Sequence, residues 1–265
     1  MKFTEEQEKN FSIRDWYDLG GQVAVVTGGA TGLGLAITRC LVSAGATVCA
    51  IGSRPEVDVH SDLAPLGDAV HYYRFDITET EKTENLIGEI HARFGRIDIL
   101  VNNAGNHCKK FIWDMSVEDY KGVLDVHLVG AFALTKAVVP FMKEQGRGRI
   151  LFQASMTSYI GQPMVAGYST AKAGILGLIH TLTAELAEYG ITVNAIAPGW
   201  IDTPMYHKAV DNDPPRLAKI LGRIPAKSVG DPMDIGMVAA FLCSDAARYI
   251  SGSCIPVDGG ALIGF

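Results

Sequence analysis

The sequence predicts one α/β domain built on a doubly wound parallel β-sheet, with helices on both faces. Three observations lead to this prediction. Short apolar runs rich in Val and Ile alternate with longer helical patterns along the chain. The first run enters a glycine-rich turn, a helix and a second run, which together form a βαβ unit. No repeat or linker-like tract interrupts the alternation, and successive units of this kind build parallel sheets with right-handed crossovers.

The apolar runs are continuous, as expected for strands that are buried on both faces. Strands are expected at 23–27, 47–51, 70–75, 97–102, 149–154, 191–196 and 254–257. Helices are expected at 35–44, 78–94, 116–144, 168–190 and 231–243. Thr78 with Glu81 matches a capping box, Ser116 with Asp119 is a second candidate cap, and Asp231-Pro232 is typical of a helix start.

The domain is expected to span residues 21–265, and residues 1–20 are expected to form an N-terminal arm. The apolar residues of the arm are predicted to pack on the body or on a neighbouring subunit; they are Phe11, Ile13, Trp16 and Leu19. A long insertion at about 205–227 contains Asp213-Pro-Pro215 and is predicted to be a mobile lid over the substrate.

Composition excludes several classes of protein. The chain has 265 residues, 48% of them hydrophobic and 20% charged, with a formal net charge of −6, which is typical of a globular protein. The acidic balance argues against nucleic-acid binding. The N-terminus is polar, and no apolar run was found to approach the roughly 20 residues that span a bilayer, which predicts a cytoplasmic protein without a membrane anchor. Five cysteines without a C-x-x-C spacing suit a reducing compartment and predict no metal site.

Three glycines, Gly28, Gly32 and Gly34, lie where the first strand passes into the first helix. In such a turn, glycines permit a tight bend and a close approach of the backbone to a pyrophosphate, which faces the helix N-terminus. A tight turn without a ligand is the alternative, but the strand before and the helix after favour dinucleotide binding.

The end of the second strand bears on which dinucleotide is bound. An acidic residue there would bind the adenosine ribose hydroxyls, but the chain has Gly52-Ser53-Arg54 and no acid until Glu56. Arg54 is suited to pair with a 2′-phosphate and Ser53 to donate a hydrogen bond to it. Alternatively, Arg54 stacks on adenine or points to solvent. NADP is therefore favoured, and NAD stays open.

Tyr168 and Lys172 are spaced to stand one turn apart on a helix face. A nearby ammonium group favours the phenolate form of a tyrosine, so the pair is a candidate for proton transfer. The spacing alone is weak evidence, because many surface helices contain it.

An ordered set of motifs resembles the short-chain dehydrogenase/reductase family over roughly residues 20–262. The motifs are Thr27-Gly-Gly-Ala-Thr-Gly-Leu-Gly34, Asn102-Asn-Ala-Gly105, Ser155, Tyr168-x-x-x-Lys172, Asn194-Ala-Ile-Ala-Pro-Gly199 and Val257-Asp-Gly-Gly260. The resemblance implies the Rossmann fold, NAD(P) as cofactor and a homotetramer. The pair Lys109-Lys110 and the strings at 221–225 and 230–232 look most like sugar-acid dehydrogenases, such as gluconate 5-dehydrogenase and 2-deoxy-gluconate dehydrogenase.

The resemblance also implies roles for matched residues. Tyr168 would be the general acid/base, Lys172 would hold the nicotinamide ribose and lower the pKa of Tyr168, and Ser155 would hydrogen-bond the substrate oxygen. With Ser53, Arg54, Tyr168 and Lys172, the expected cofactor contacts are Gly28, Thr31, Gly32, Leu33, Gly34, Asp76, Ile77, Asn103, Ala104, Gly105, Pro198, Gly199, Ile201 and Thr203.

One position departs from the family pattern. Where the family usually has asparagine in a proton relay that reaches the lysine, this chain has His127, in Asp125-Val-His-Leu-Val-Gly130. Histidine donates and accepts hydrogen bonds and ordinarily titrates near neutrality, so His127 is a candidate fourth catalytic residue. Alternatively, it is a helix residue satisfied by a backbone carbonyl.

The substrate is expected beyond the carboxyl ends of the strands, near 106–110, 156–166 and 205–227. The candidate substrate contacts are His107, Lys109, Met156, Trp200 and Met205; Lys109 and Lys110 could instead be surface charges, and the apolar members core residues. A polar, partly basic pocket favours a sugar, polyol or sugar acid whose secondary alcohol is interconverted with a ketone. The alternatives are a 3-oxoacyl thioester reductase and a non-catalytic nucleotide-binding scaffold.

Overall fold

The computed structural model describes residues 11–264, except for the side chains of Met205 and Ala209. Seven parallel strands form one sheet in the order β3-β2-β1-β4-β5-β6-β7. The strands are β1 (Val23–Thr27), β2 (Thr47–Gly52), β3 (Val70–Arg74), β4 (Ile99–Asn102), β5 (Gly148–Gln153), β6 (Ile191–Pro198) and β7 (Cys254–Val257). In register, Val25 of β1 pairs with Cys49 of β2 on one side and with Leu100 of β4 on the other. The predicted doubly wound sheet is confirmed.

Helices connect the strands and cover both faces of the sheet. In chain order they are α1 (Ile13–Tyr17), α2 (Gly32–Ser43), α3 (His60–Leu63), α4 (Thr83–Phe94), α5 (Val117–Gln145), α6 (Ala166–Leu186), α7 (Pro204–Val210), α8 (Pro214–Arg223) and α9 (Pro232–Cys243). The predicted caps at Ser116 and Asp231 are confirmed, each as a reciprocal capping box. Helix α5 contains a π-helical segment, Asp125–Gly130, between its two α-helical parts.

The predicted capping box at Thr78 and Glu81 was wrong, because α4 begins at Thr83. The backbone N–H and the hydroxyl of Thr78 both donate to Oδ1 of Asp76, at 3.0 and 2.8 Å. This local turn occupies the hydroxyl that a cap would need, and a short 3₁₀ turn, Thr80–Lys82, precedes the helix.

Alternate residues along each strand point to opposite faces of the sheet, and each face has its own core. Val25 packs in a cluster with α4, α5 and α6, whereas Val26 packs in a second cluster with α2 and α9. Both side chains are fully buried. Burial on both sides explains why the strand sequences are apolar without alternation.

Helix α5 corrects the expectation that no apolar run approaches the length of a membrane span. A window of 18 residues in it has a mean hydropathy of 1.6, so by length and composition it is long and apolar enough to cross a membrane. Its residues Leu134, Val138 and Met142 are fully buried in the core beneath the sheet. The apolar character of α5 is therefore that of a core helix.

The described part of the N-terminal arm lies on the body of the protein. Leu19 is fully buried, and its backbone N–H donates to Ala44 O at 2.7 Å. The guanidinium of Arg248 lies over the ring of Trp16, while Phe11 and Ile13 are exposed. Residues 1–10 of the predicted arm lie outside the described residues, and the boundary at 20/21 stays a prediction.

The predicted lid folds as α7 and α8, which are joined by a short turn. Val210, Ile220 and Ile224 pack with Met156 and Ala261 in a small separate core. The lid is therefore an ordered pair of helices seated beside the carboxyl edge of the sheet, and its mobility stays a prediction.

Candidate active site

The residues singled out from the sequence meet at the carboxyl ends of β1, β4, β5 and β6, where parallel α/β sheets bind ligands. Ser155 follows β5 and caps a 3₁₀ turn, Met156–Ser158, with its Oγ accepting from Thr157 N–H at 3.2 Å. The hydroxyl of Ser158 donates to the backbone carbonyl of Lys172 at 2.7 Å, which ties this turn to α6. The tie fixes Ser155 beside the first turn of α6.

Tyr168 stands in that first turn, with its phenol beside Ser155. Burial raises the pKa of Tyr168, and the interaction with the Ser155 hydroxyl partly opposes this effect. Burial dominates in the ligand-free protein, so the net shift is upward, and the lowering of this pKa by Lys172 stays a prediction. A raised pKa keeps the phenol protonated at neutral pH, so Tyr168 is suited to donate a proton to a substrate oxygen.

Lys172 lies one turn further along α6 and is 3% exposed. Its Nζ donates a short hydrogen bond to the backbone carbonyl of Gln153 and lies 5.5 Å from the centre of the Tyr168 ring. No carboxylate in the described part of the chain forms an ion pair with it. Burial lowers the pKa of Lys172 to about 7, so near neutrality the amine is poised between its charged and neutral forms.

His127 lies in the π-helical segment of α5, where such segments often accompany functional sites. Its Nε2 lies 2.9 Å from the backbone carbonyl oxygen and 3.2 Å from the backbone nitrogen of Asn106, whereas Nδ1 is buried without a partner among the described residues. Its ring meets the Tyr168 ring edge-on at 5.2 Å. Burial, and then the charge of Lys172, lower the pKa of His127 to about 3. The expectation that His127 titrates near neutrality was therefore wrong.

His107 completes the aromatic surroundings of Tyr168. The two rings pack at a centroid distance of 4.5 Å, and His107 faces the open cleft. Burial of its ring, Lys109 and Lys172 lower the pKa of His107. It therefore faces the cleft as a neutral donor and acceptor.

A cavity of about 340 Å³ lies between the end of β1 and the ends of β2 and β3. Eight of the expected cofactor contacts line it, namely Gly28, Thr31, Ser53, Arg54, Asp76, Ile77, Ala104 and Gly105. Other residues that line this cavity were not predicted from the sequence, among them Tyr72, Phe75 and Val126. These provide apolar walls that a nucleotide base requires.

The glycine turn fits a pyrophosphate. Gly28 has φ of +63°, which favours glycine, and a Cβ at Gly34 would lie 2.0 Å from the carbonyl oxygen of Gly28. The side chain of the N-cap residue Thr31 makes no capping bond to α2, so the N–H groups of its first turn remain available to an anion. The residues present therefore fit a dinucleotide whose phosphates face this helix end.

A second cavity of about 210 Å³ adjoins the catalytic residues. Ser155 and Tyr168 line it, together with the expected cofactor contacts Leu33, Pro198, Gly199, Ile201 and Thr203. Four of the five predicted substrate contacts also line it: His107, Lys109, Met156 and Trp200. The fifth, Met205, has a side chain outside the described set. The sequence missed Gln162, Tyr206, Arg216 and Ile220, which line the same cavity.

Comparison with known proteins decides the family. A family model described as enoyl-(acyl carrier protein) reductase matches residues 28–261. The 3-oxoacyl-[acyl-carrier-protein] reductase of Thermotoga maritima is 36% identical over 249 residues, covering 92% of this chain and 99% of that protein. The 2-dehydro-3-deoxy-D-gluconate 5-dehydrogenase of Formosa agariphila is 35% identical over 251 residues, with 94% and 95% covered.

A solved structure agrees with these relatives. The gluconate 5-dehydrogenase of Burkholderia cenocepacia, in complex with NADP and tartrate, has a TM-score of 0.90 and 31% identity, covering 96% of this chain and all of that one. This chain belongs to the short-chain dehydrogenase/reductase family. It is an NAD(P)-dependent oxidoreductase that acts on CH–OH groups.

Among the residues expected to touch the cofactor in this dehydrogenase, four line neither cavity: Gly32, Gly34, Asn103 and Lys172. The amide nitrogen Nδ2 of Asn103 donates to the backbone carbonyl of Thr27 at 2.9 Å. The hydroxyl of Thr27 accepts the backbone N–H groups of Asn103 and Ala104, each at 2.9 Å. Asn103 thus joins the ends of β1 and β4, and it supports the cofactor cavity without lining it.

Proposed function

We propose that this dehydrogenase interconverts a secondary alcohol and a ketone of a sugar acid of the gluconate type, with NADP as the preferred cofactor. The observation that carries the proposal is a set of polar side chains beside Ser155 and Tyr168, in a cavity whose other lining is largely apolar: His107, Lys109 and Gln162. Polar side chains of this kind are suited to bind hydroxyls and a carboxylate. The relatives that act on gluconate-type compounds support the same substrate class.

The chemistry follows from the geometry. When bound, the nicotinamide ring supplies hydride transfer at C4. Tyr168 exchanges the proton with the substrate oxygen, and in the reducing direction its raised pKa keeps that proton in place until it is needed. Ser155, which lies beside the phenol, donates to the same substrate oxygen and stabilises the charge that develops on it. Lys172 positions Tyr168 and the ribose from the buried side of α6.

The preference for NADP rests on Ser53 and Arg54 at the end of β2. Both line the cofactor cavity, and no carboxylate in the described chain pairs with Arg54. Asp76 is the one acidic residue among the described residues that line this cavity, and it follows β3, not β2. A free guanidinium at this place is suited to a 2′-phosphate. Solved relatives bound to NADP support this proposal.

A substrate panel tests the function. Aldonates, ketoses, polyols and acetoacetyl thioester are assayed with NADP(H) and NAD(H), and kcat/KM is compared. We expect the highest kcat/KM with a sugar acid, and at least about tenfold better use of NADP(H) than of NAD(H). Turnover of the thioester alone would instead assign the chain to 3-oxoacyl reduction, the alternative that the Thermotoga relative supports.

His127 is proposed to act in the proton path as a neutral imidazole. Its ring contacts that of Tyr168, and the charge of Lys172 lowers its pKa. Its Nδ1 is available to a further polar group. We expect His127→Asn to keep kcat within about tenfold, and His127→Phe, which keeps a ring without nitrogens, to lose about 100-fold or more. Melting temperatures of both variants control for folding. Near-normal kcat in His127→Phe would reduce His127 to a packing residue.

A cytoplasmic homotetramer is proposed for the assembly. Val129 and Phe132 on α5 are about half exposed and line a shallow apolar groove with Leu178 of α6. An apolar helix face of this kind is suited to a second copy of the chain. Light scattering measures the mass directly, and a monomer would contradict the proposal.

A further inference from the structure

Arg216 is a residue of the catalytic cavity that no motif in the sequence indicated. It lies in the first turn of the lid helix α8, whose cap Asp213 accepts the backbone N–H of Arg216 at 3.0 Å. One face of α8 is apolar, with Leu217 and Ile220 packed into the small core beside Met156. The packing of that face presents Arg216 to the cavity that contains Ser155 and Tyr168.

A larger cavity of about 660 Å³ adjoins the catalytic one. Arg216 lines both, and two further cations of α8, Lys219 and Arg223, line only the outer one. No Asp or Glu is among the described residues that line either cavity. The lining of the path to the catalytic residues therefore carries positive side chains and no carboxylate among the described residues, which favours an anionic substrate.

The second cation of the inner cavity comes from a different element. Lys109 belongs to the loop after β4, and burial and the charge of Arg216 together lower its pKa. Two like charges that approach one another across a cleft repel, and the repulsion is relieved when an anion lies between them. Neither Lys109 nor Arg216 forms an ion pair with a carboxylate in the described chain.

We propose that Arg216 and Lys109 together bind the carboxylate of the substrate, and that this carboxylate links the lid helix α8 to the loop after β4. The inference rests on the proposed function, because it names the group by which that sugar acid is recognised. Arg216 supplies the planar fork that pairs with a carboxylate, and Lys109 supplies a point charge. Both residues determine specificity, whereas Ser155 and Tyr168 perform the proton chemistry.

The test uses tartrate, a small dicarboxylate, as a binding probe by calorimetry with the full-length protein saturated with NADPH. We expect Arg216→Gln to weaken tartrate binding roughly 10- to 100-fold, which is typical of the loss of a charge-assisted hydrogen bond. Lys109→Gln should act in the same direction, and the double variant should lose less than the product of the two single effects. Lys219→Gln, on the same helix but lining only the outer cavity, is the matched control and should change binding less than about threefold.

Steady-state kinetics distinguish a loss of substrate recognition from a misfolded lid in the Arg216 variant. For a gluconate-type acid, Arg216→Gln should raise KM and leave kcat nearly unchanged, while KM for an uncharged polyol stays constant. Equal losses for the acid and the polyol, or unchanged tartrate affinity in Arg216→Gln, would overturn the assignment. If the wild type reduces only the thioester, the proposed function fails, but tartrate binding that depends on Arg216 would still support the anion site.

Discussion

Tyr168→Phe is expected to abolish turnover while leaving cofactor binding intact. The substitution removes only the phenol hydroxyl beside Ser155, so the reaction loses its proton donor and acceptor. Loss of a positioned general acid costs about 10²- to 10⁴-fold in kcat. The ring remains, and with it the packing against His107 at 4.5 Å and the edge contact with His127 at 5.2 Å. The measurements are kcat in both directions and the dissociation constant of NADPH from its fluorescence.

Tyr206→Phe provides the matched control. Tyr206 lines the same cavity on the lid helix α7, so its substitution also removes one hydroxyl from the site. We expect kcat to fall less than about tenfold in this variant, because Tyr206 has no part in proton transfer. If Tyr168→Phe retained kcat within tenfold of the wild type, another group would have to be the proton donor, and the mechanism proposed above would be wrong.

The catalytic geometry could be anticipated because its determinants are local. Ser155 follows a strand, Tyr168 lies in the first turn of a helix, and the register between them follows from the turn that Ser158 ties to α6. The parallel arrangement of the sheet was similarly accessible, since continuous apolar runs separated by helices leave few alternatives to it. The glycine turn could be predicted from its glycines, because the backbone of Gly28 approaches Gly34 too closely for any side chain at that position.

The pKa shifts that depend on burial could not be predicted from the spacing of residues in the sequence. The sequence places a lysine near Tyr168 and suggests a lowered phenol pKa, but the structure shows that desolvation raises it. The same effect moves the pKa of His127 to about 3, far from the value expected of a histidine in water. Arg216 was missed for a related reason. It is more than a hundred residues from Lys109 in the sequence, and only the packing of α8 against Met156 brings it to the same cavity.

Lys172→Met is expected to stabilise the ligand-free fold while it eliminates catalysis. Lys172 is 3% exposed, and burial lowers its pKa from 10.5 to about 7. The unfolded chain binds more protons than the folded one between these values, so the unfavourable contribution of Lys172 is complete below pH 7 and disappears as pH rises through 10.5. Each tenfold change in proton affinity corresponds to about 1.4 kcal/mol, and the unpaired carbonyl of Gln153 would offset part of the gain.

The net gain in unfolding free energy should therefore be about 3 kcal/mol larger at pH 6.5 than at pH 9.5, measured by urea denaturation at fixed protein concentration. Lys219→Met, at an exposed position of α8, controls for the loss of a lysine and should show no such dependence on pH. The amine of Lys172 is held in the core without a carboxylate partner in the described chain. If Lys172→Met is increasingly stabilised toward acid pH, Lys172 is a residue that function retains although it lowers stability. Equal destabilisation at both pH values would show instead that its hydrogen bond to Gln153 outweighs the desolvation of the charge.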